Sequence, residues 1–119
     1  MSLSISSDLE EECIWLTSSF GDSADFFLRR TTVCGVPCAL ALCDVVAGIE
    51  RAWELVLRPL QEEPRVFEGG AEFMEYLIQR SALPFSPSLL TEREAMRYAL
   101  TSGHSVLLAE GASVALLFS

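Results

Sequence analysis

The residues able to do chemistry fall into a few groups. They are the acidic turn Gly21-Asp22-Ser23-Ala24-Asp25, the glutamates Glu10-Glu11-Glu12 and Glu62-Glu63, the cysteines Cys13, Cys34, Cys38 and Cys43, and the single histidine, His104. Paired carboxylates do acid–base work only when they face each other across a pocket that drives their pKa values apart. The Asp22/Asp25 turn lacks the regular oxygen ligands and closing glutamate of a calcium loop. Local capping of a turn, with Asp22 or Ser23 accepting backbone amides, explains it more simply. Nucleophilic catalysis needs a Ser or Cys beside a base, and His104 is the only imidazole. Its neighbours Gly103 and Ser105 mark a helix-to-strand junction, where a polar cap is ordinary. Ser113 stands in a turn rather than in a G-x-S-x-G elbow. Glu68-Gly69-Gly70 lacks the lysine of a phosphate loop. Cys34 and Cys38 have three residues between them, without the second pair or histidines of a zinc site. A Cys34–Cys38 disulfide is geometrically possible, but buried free thiols are the simpler reading.

Charge narrows the partners. The 119-residue chain has 17 acids, 8 bases and a net charge of −9, and every base is an arginine. These arginines are scattered and form no basic stripe, which disfavours nucleic acid and anionic lipid. Half of the residues are hydrophobic, enough for one core. The longest apolar stretches fall well short of the roughly 20 residues of a membrane helix. The first eight residues show no basic region before an apolar run, hence no visible signal peptide. The apolar close at Ser119 is the pattern expected of a piece cut from a longer protein.

The elements that must position these residues follow from periodicity. Ser7 to Glu10 reads as a capping box opening a helix through about Ser18, with Leu9, Cys13 and Leu16 on its apolar face. Gly21 suits a stop in the left-handed conformation. Residues 26–33 read as a strand, Cys34-Gly35-Val36-Pro37 as a tight connection, and residues 38–46 as a second strand buried on both faces. An antiparallel hairpin is expected. A helix over residues 48–64 would carry Ile49, Trp53, Val56, Leu57 and Leu60 on one side. Another, over 71–81, would carry Phe73, Met74, Leu77 and Ile78. Residues 83–88 read as a Pro-punctuated loop. Thr91 to Glu94 is a second capping box, for a helix ending near Gly103. The segment "SVLLAEGASVALLFS" reads as a hairpin turning at Glu110 to Ser113. The expectation is an α/β (α+β) fold, with a mixed sheet of about four strands from two hairpins and about four packed helices.

Three segments, in order, resemble the A subunit of spore germinant receptors, the GerA family. "FGDSADFFLRR" resembles the family's Phe-Gly-Asp/Asn-Ser-Ser-Asp, apolar, Arg pattern. "CALALCDVVAGIERAWELVLRPL" resembles the next strand ending in Asp and the helix closing on Pro-Leu. "ALTSGHSVLLAEGASVALLFS" resembles the later helix, Ser-Gly-Asp, strand, Gly turn and strand. By position, Phe20, Gly21, Asp22, Ser23, Asp25, Arg29, Asp44, Pro59, Leu60, Gly103 and Gly111 match family motif residues, carried over as structural positions. Departures exist: Ala24 replaces a Ser, Leu42-Cys43-Asp44-Val45 lacks a Gly, and His104 stands where the family often has Asp.

The resemblance implies the first part of a soluble N-terminal region in a membrane-embedded subunit. Such a subunit sits in the spore inner membrane, with this domain on the core side. It detects nutrients and triggers ion release and germination, alongside other receptor subunits and a possible second copy of itself. No catalytic residue, metal or cofactor is implied. A sporulation paralogue shares the pattern. The module would serve assembly or signal coupling. The rival reading is a small-molecule module that holds the nutrient directly, for which a deep, mostly apolar pocket would speak. An enzyme is a distant third.

Overall fold

In the computed structural model, which describes residues 3–21, 26–43, 67–80 and 88–118, the second strand sets the architecture. Strands β1 (Phe26–Val33) and β2 (Val36–Cys43) form a hairpin, with Val33 opposite Val36. Cys34 and Gly35 between them have φ of 52° and 79°, the positive values that a two-residue turn needs to match strand twist. Along β2, Cys38, Leu40 and Leu42 project to one face and Ala39 and Ala41 to the other, and all five are buried. A strand buried on both faces requires cover on both.

That cover comes from α1 (Leu9–Phe20) and α3 (Arg93–Thr101) on one side and α2 (Gly70–Arg80) on the other. Leu9, Cys13 and Leu16 of α1 and Met96 and Leu100 of α3 pack over Ala39 and Ala41. Phe73, Met74 and Leu77 of α2 pack with Phe67 over Cys38, Leu40 and Leu42. In β2, therefore, the two alanines lie under two helices and the two leucines under one. Burial of each large side chain contributes about 1.5–3 kcal/mol.

The sheet differs from the expected one in two ways, while its class stands. Among the described residues it has five strands in the order β1-β2-β4-β5-β3, adding β3 (Ser88–Leu90), β4 (Ser105–Ala109) and β5 (Ala115–Phe118), and their pairings are all antiparallel rather than mixed. The three residues of β3 are too few to show a period of two, so the sequence reads as loop there. Its strand character comes from β5, where Ser88, Leu89 and Leu90 oppose Leu117, Leu116 and Ala115. The helix expected over 48–64 lies outside the described residues, as do 44–46 of the second strand and 83–87 of the loop.

Helix ends also depart from expectation. Asp8, not Ser7, caps α1, its Oδ1 accepting the amides of Glu10 at 3.1 Å and Glu11 at 3.4 Å. Glu92, not Thr91, precedes α3 and makes no side-chain cap bond. Thr91 instead uses its carbonyl to accept the amide of Ile5 at 2.9 Å. The C-terminus of α3 falls where expected. Gly103, at φ +92°, donates to Leu100 O at 3.1 Å, and the His104 amide donates to Ala99 O at 3.0 Å, forming a Schellman motif.

Candidate functional site

The family-motif positions that are described do not converge on one pocket: Phe20, Gly21, Gly103 and Gly111 lie at corners of the fold and Arg29 on a strand. At the first corner Phe20 is buried and stacks on Phe26, with ring centroids 4.8 Å apart and planes 10° from parallel. Gly21 is right-handed, with φ −56° and ψ −29°, which corrects the left-handed expectation. A glycine fits there because a Cβ would lie 2.9 Å from Thr17 O. Arg29 is exposed on β1, opposite Leu40. Its neighbour Arg30 pairs with Glu10 of α1. Asp22, Ser23, Asp25, Asp44, Pro59 and Leu60 lie outside the described residues.

Several segments meet at Gly111 and the residue before it. It turns the β4–β5 connection at φ +90°, and its amide donates to Ser7 O at 2.8 Å. The preceding Glu110 extends its carboxylate to the Leu9 amide at 2.8 Å, at the N-terminus of α1. A carboxylate there also meets the positive end of the helix dipole. Glu110 uses its backbone as well: its amide donates to Pro37 O, and its carbonyl accepts from Gly70 N, each at 2.9 Å. One turn therefore ties the starts of α1 and α2, on opposite faces of the sheet, to the β1–β2 hairpin. Neither Glu110 nor Gly70 stands out in the sequence. In the sequence Gly70 reads as the end of the 65–70 connector, in a run that lacks the lysine of a phosphate loop.

A buried ion pair is the second feature missed by sequence reasoning. Arg93 Nε donates to Glu12 Oε1 at 3.1 Å and Oε2 at 2.9 Å, while Nη2 bonds Glu12 Oε2 and also Glu11 Oε1 at 3.1 Å. The guanidinium carbon lies 5.5 Å from the centre of the Trp15 ring. The Glu12 hydrogen bond pushes the Arg93 pKa up, against the opposing pull of burial, so the guanidinium stays charged. A signal did exist. Glu12 falls between Leu9, Cys13 and Leu16 on one helical face, and Arg93 shares a face with Met96 and Leu100.

Thiols, histidine and carboxylates form no reactive constellation among the described residues. None of the four cysteines forms a disulfide. Burial pushes Cys13 upward and Cys38 up to about 12, away from reactive thiolate. No group of three or more His, Cys, Asp or Glu residues is placed to hold a metal among the described residues. A groove of about 270 Å³ runs between α1 and β1, lined by Glu10, Cys13, Ile14, Thr17, Leu28 and Arg30. It is open to solvent, unlike the concave sites that enclose most of a small ligand. Ile14 on its rim is 58% exposed. No helix among the described residues is long and apolar enough to cross a membrane.

No family model matches the chain, and no curated protein matches it by sequence. Its fold is similar to the crystal structure of the N-terminal domain of the A subunit of the Bacillus megaterium spore germinant receptor GerK3. The TM-score is 0.75 at 17% identity, over 100% of this chain and 48% of that one. The chain thus spans about half the length of the structure it matches, and the likeness is one of fold. It falls on the domain that the three sequence segments resemble.

Proposed function

We propose that this chain is a non-catalytic soluble domain in the A subunit of a spore germinant receptor, serving complex assembly or signal coupling in nutrient-triggered germination. The observation that carries this reading is the fold shared with a receptor A-subunit N-terminal domain over the whole chain. Two independent routes support it: the motif segments come from side-chain identity, and the fold likeness from backbone geometry at low identity. In this reading the partners are other receptor subunits and a second copy of the chain. The parent protein is anchored in the spore inner membrane, with this domain on the core side.

The test uses the parent gene in a spore-forming host. Its reading frame should encode several apolar segments of about 20 residues downstream. Spores carrying Gly70→Ala in this domain should form in normal yield and heat resistance, yet respond to nutrient several-fold more slowly. An unchanged nutrient response with the domain deleted would overturn the proposal. A defect in spore yield would point instead to the sporulation paralogue.

A further inference from the structure

Arg93 is the meeting point of three chain segments. Its backbone amide donates to Leu3 O at 2.8 Å, and the Ile5 amide donates to Thr91 O at 2.9 Å. Residues 3–5 thereby lie antiparallel to 91–93 as a strap, with Ser4 bridged to Glu92. The Arg93 side chain reaches α1, holding Glu12 and Glu11 and lying over Trp15. Both charges are withdrawn from water, Glu12 at 0% exposure and Arg93 at 8%. Around them the layer is apolar, from Ile5 and Leu9 to Met96 and Leu100.

The two faces of the sheet hold separate cores. The strap, α1 and α3 belong to one, and α2 belongs to the other. A buried ion pair sets geometry more than it adds net stability, because desolvation offsets most of the Coulomb attraction. Losing one partner is different, since it strands the other charge in an apolar layer. Cooperative units of a fold can open separately, and the hydrogen bonds that tie the start of α1 to the other face are those of the Glu110–Gly111 turn to Ser7 O and the Leu9 amide.

We propose that the Glu12–Arg93 pair is a latch that fastens α1 and the strap onto α3. When it is broken, α1 and the strap open as one unit while the α2 face of the sheet stays closed. The molecule carries a reporter for each face. Cys13 on α1 is 4% exposed within the latched layer, and Cys38 on β2 is 0% exposed beneath α2.

Thiol labelling in native buffer at fixed pH, read cysteine by cysteine by mass spectrometry, compares the unsubstituted chain with Arg93→Lys and Arg93→Met. Normalising each thiol to its own unsubstituted rate removes differences in intrinsic reactivity. The latch requires Cys13 to label about tenfold faster or more in Arg93→Met, with Cys38 changed less than about twofold. Arg93→Lys keeps the charge but loses the planar fork, so Cys13 should accelerate by an intermediate factor. Parallel acceleration of both thiols would overturn the proposal by showing that the layers open together. So would an unchanged Cys13 rate in both variants. Should Arg93→Met fail to fold, Arg93→Lys decides alone: selective acceleration of Cys13 supports the latch, and parallel or absent acceleration refutes it.

Discussion

A methyl group added at Gly70 would lie 2.2 Å from Glu110 O and 3.0 Å from Ala112 N, both backbone atoms of a hydrogen-bonded turn. Neither can swing aside as a side chain does, so the turn or the start of α2 must move. Gly70→Ala should therefore destabilise the fold by about 2–3 kcal/mol, lowering Tm by roughly 8–12 °C. Gly69 is the control, since its added Cβ would meet nothing within 4 Å. Gly69→Ala should stay within about 0.5 kcal/mol of the unsubstituted chain by thermal or urea melts. The contrast between adjacent glycines is invisible in "EGGAEF". Gly111 was legible as a turn residue, but the partner that leaves no room for a Cβ at Gly70 comes from 40 residues further along the chain.

Helices illustrate what local sequence conveys at the scale of elements. The spacing of Leu9, Cys13 and Leu16 places a helix correctly, and the cap one residue off. Ser7 and Asp8 are both good cap residues, and the choice depends on where the chain can begin its helical turn. The Gly111 amide bonds Ser7 O and the Glu110 carboxylate holds the Leu9 amide, which fixes the start at Leu9. Asp8→Ala should cost about 1 kcal/mol of stability, whereas Ser7→Ala should be neutral within about 0.5 kcal/mol. Equal losses in chemical denaturation would restore the Ser7 cap. Strand β3 makes the opposite point. It is three residues long, and hydrogen bonding to β5 gives it an identity that its own residues do not.

Over the whole molecule, the two cores respond to alkali through their thiols. Burial pushes Cys38 from its ordinary value of 9.0 up to about 12. Folding therefore retains a proton that the unfolded chain releases as pH passes 9. The associated stability is complete below about pH 9 and is lost as pH rises toward about 12, at up to about 1.4 kcal/mol per pH unit. Cys13 is pushed the same way, again mainly by burial. Urea melts from pH 7 to 11 should show stability falling above about pH 9. Cys38→Ala should flatten that slope, whatever it does to stability at neutral pH. An unaltered slope would mean that other groups dominate alkaline unfolding.

The residues by themselves determined the α+β class, the two hairpins, the helical faces and the turn glycines at positions 103 and 111. Those features rest on backbone preferences and on apolar periods that repeat within a few residues. The resemblance to germinant receptor A subunits was equally local, carried by short runs in order, and the fold likeness meets it. Only the tertiary structure decided the fifth strand, the antiparallel order of the sheet, the close approach at Gly70 and the Glu12–Arg93 pair. Each joins segments far apart in the chain. Glu12 and Arg93 are separated by 81 positions, and although each shares a helical face with apolar residues, neither points to the other as its partner. Packing α1 and α3 side by side on the same face of the sheet removes water from both charges and makes each the other's necessary partner.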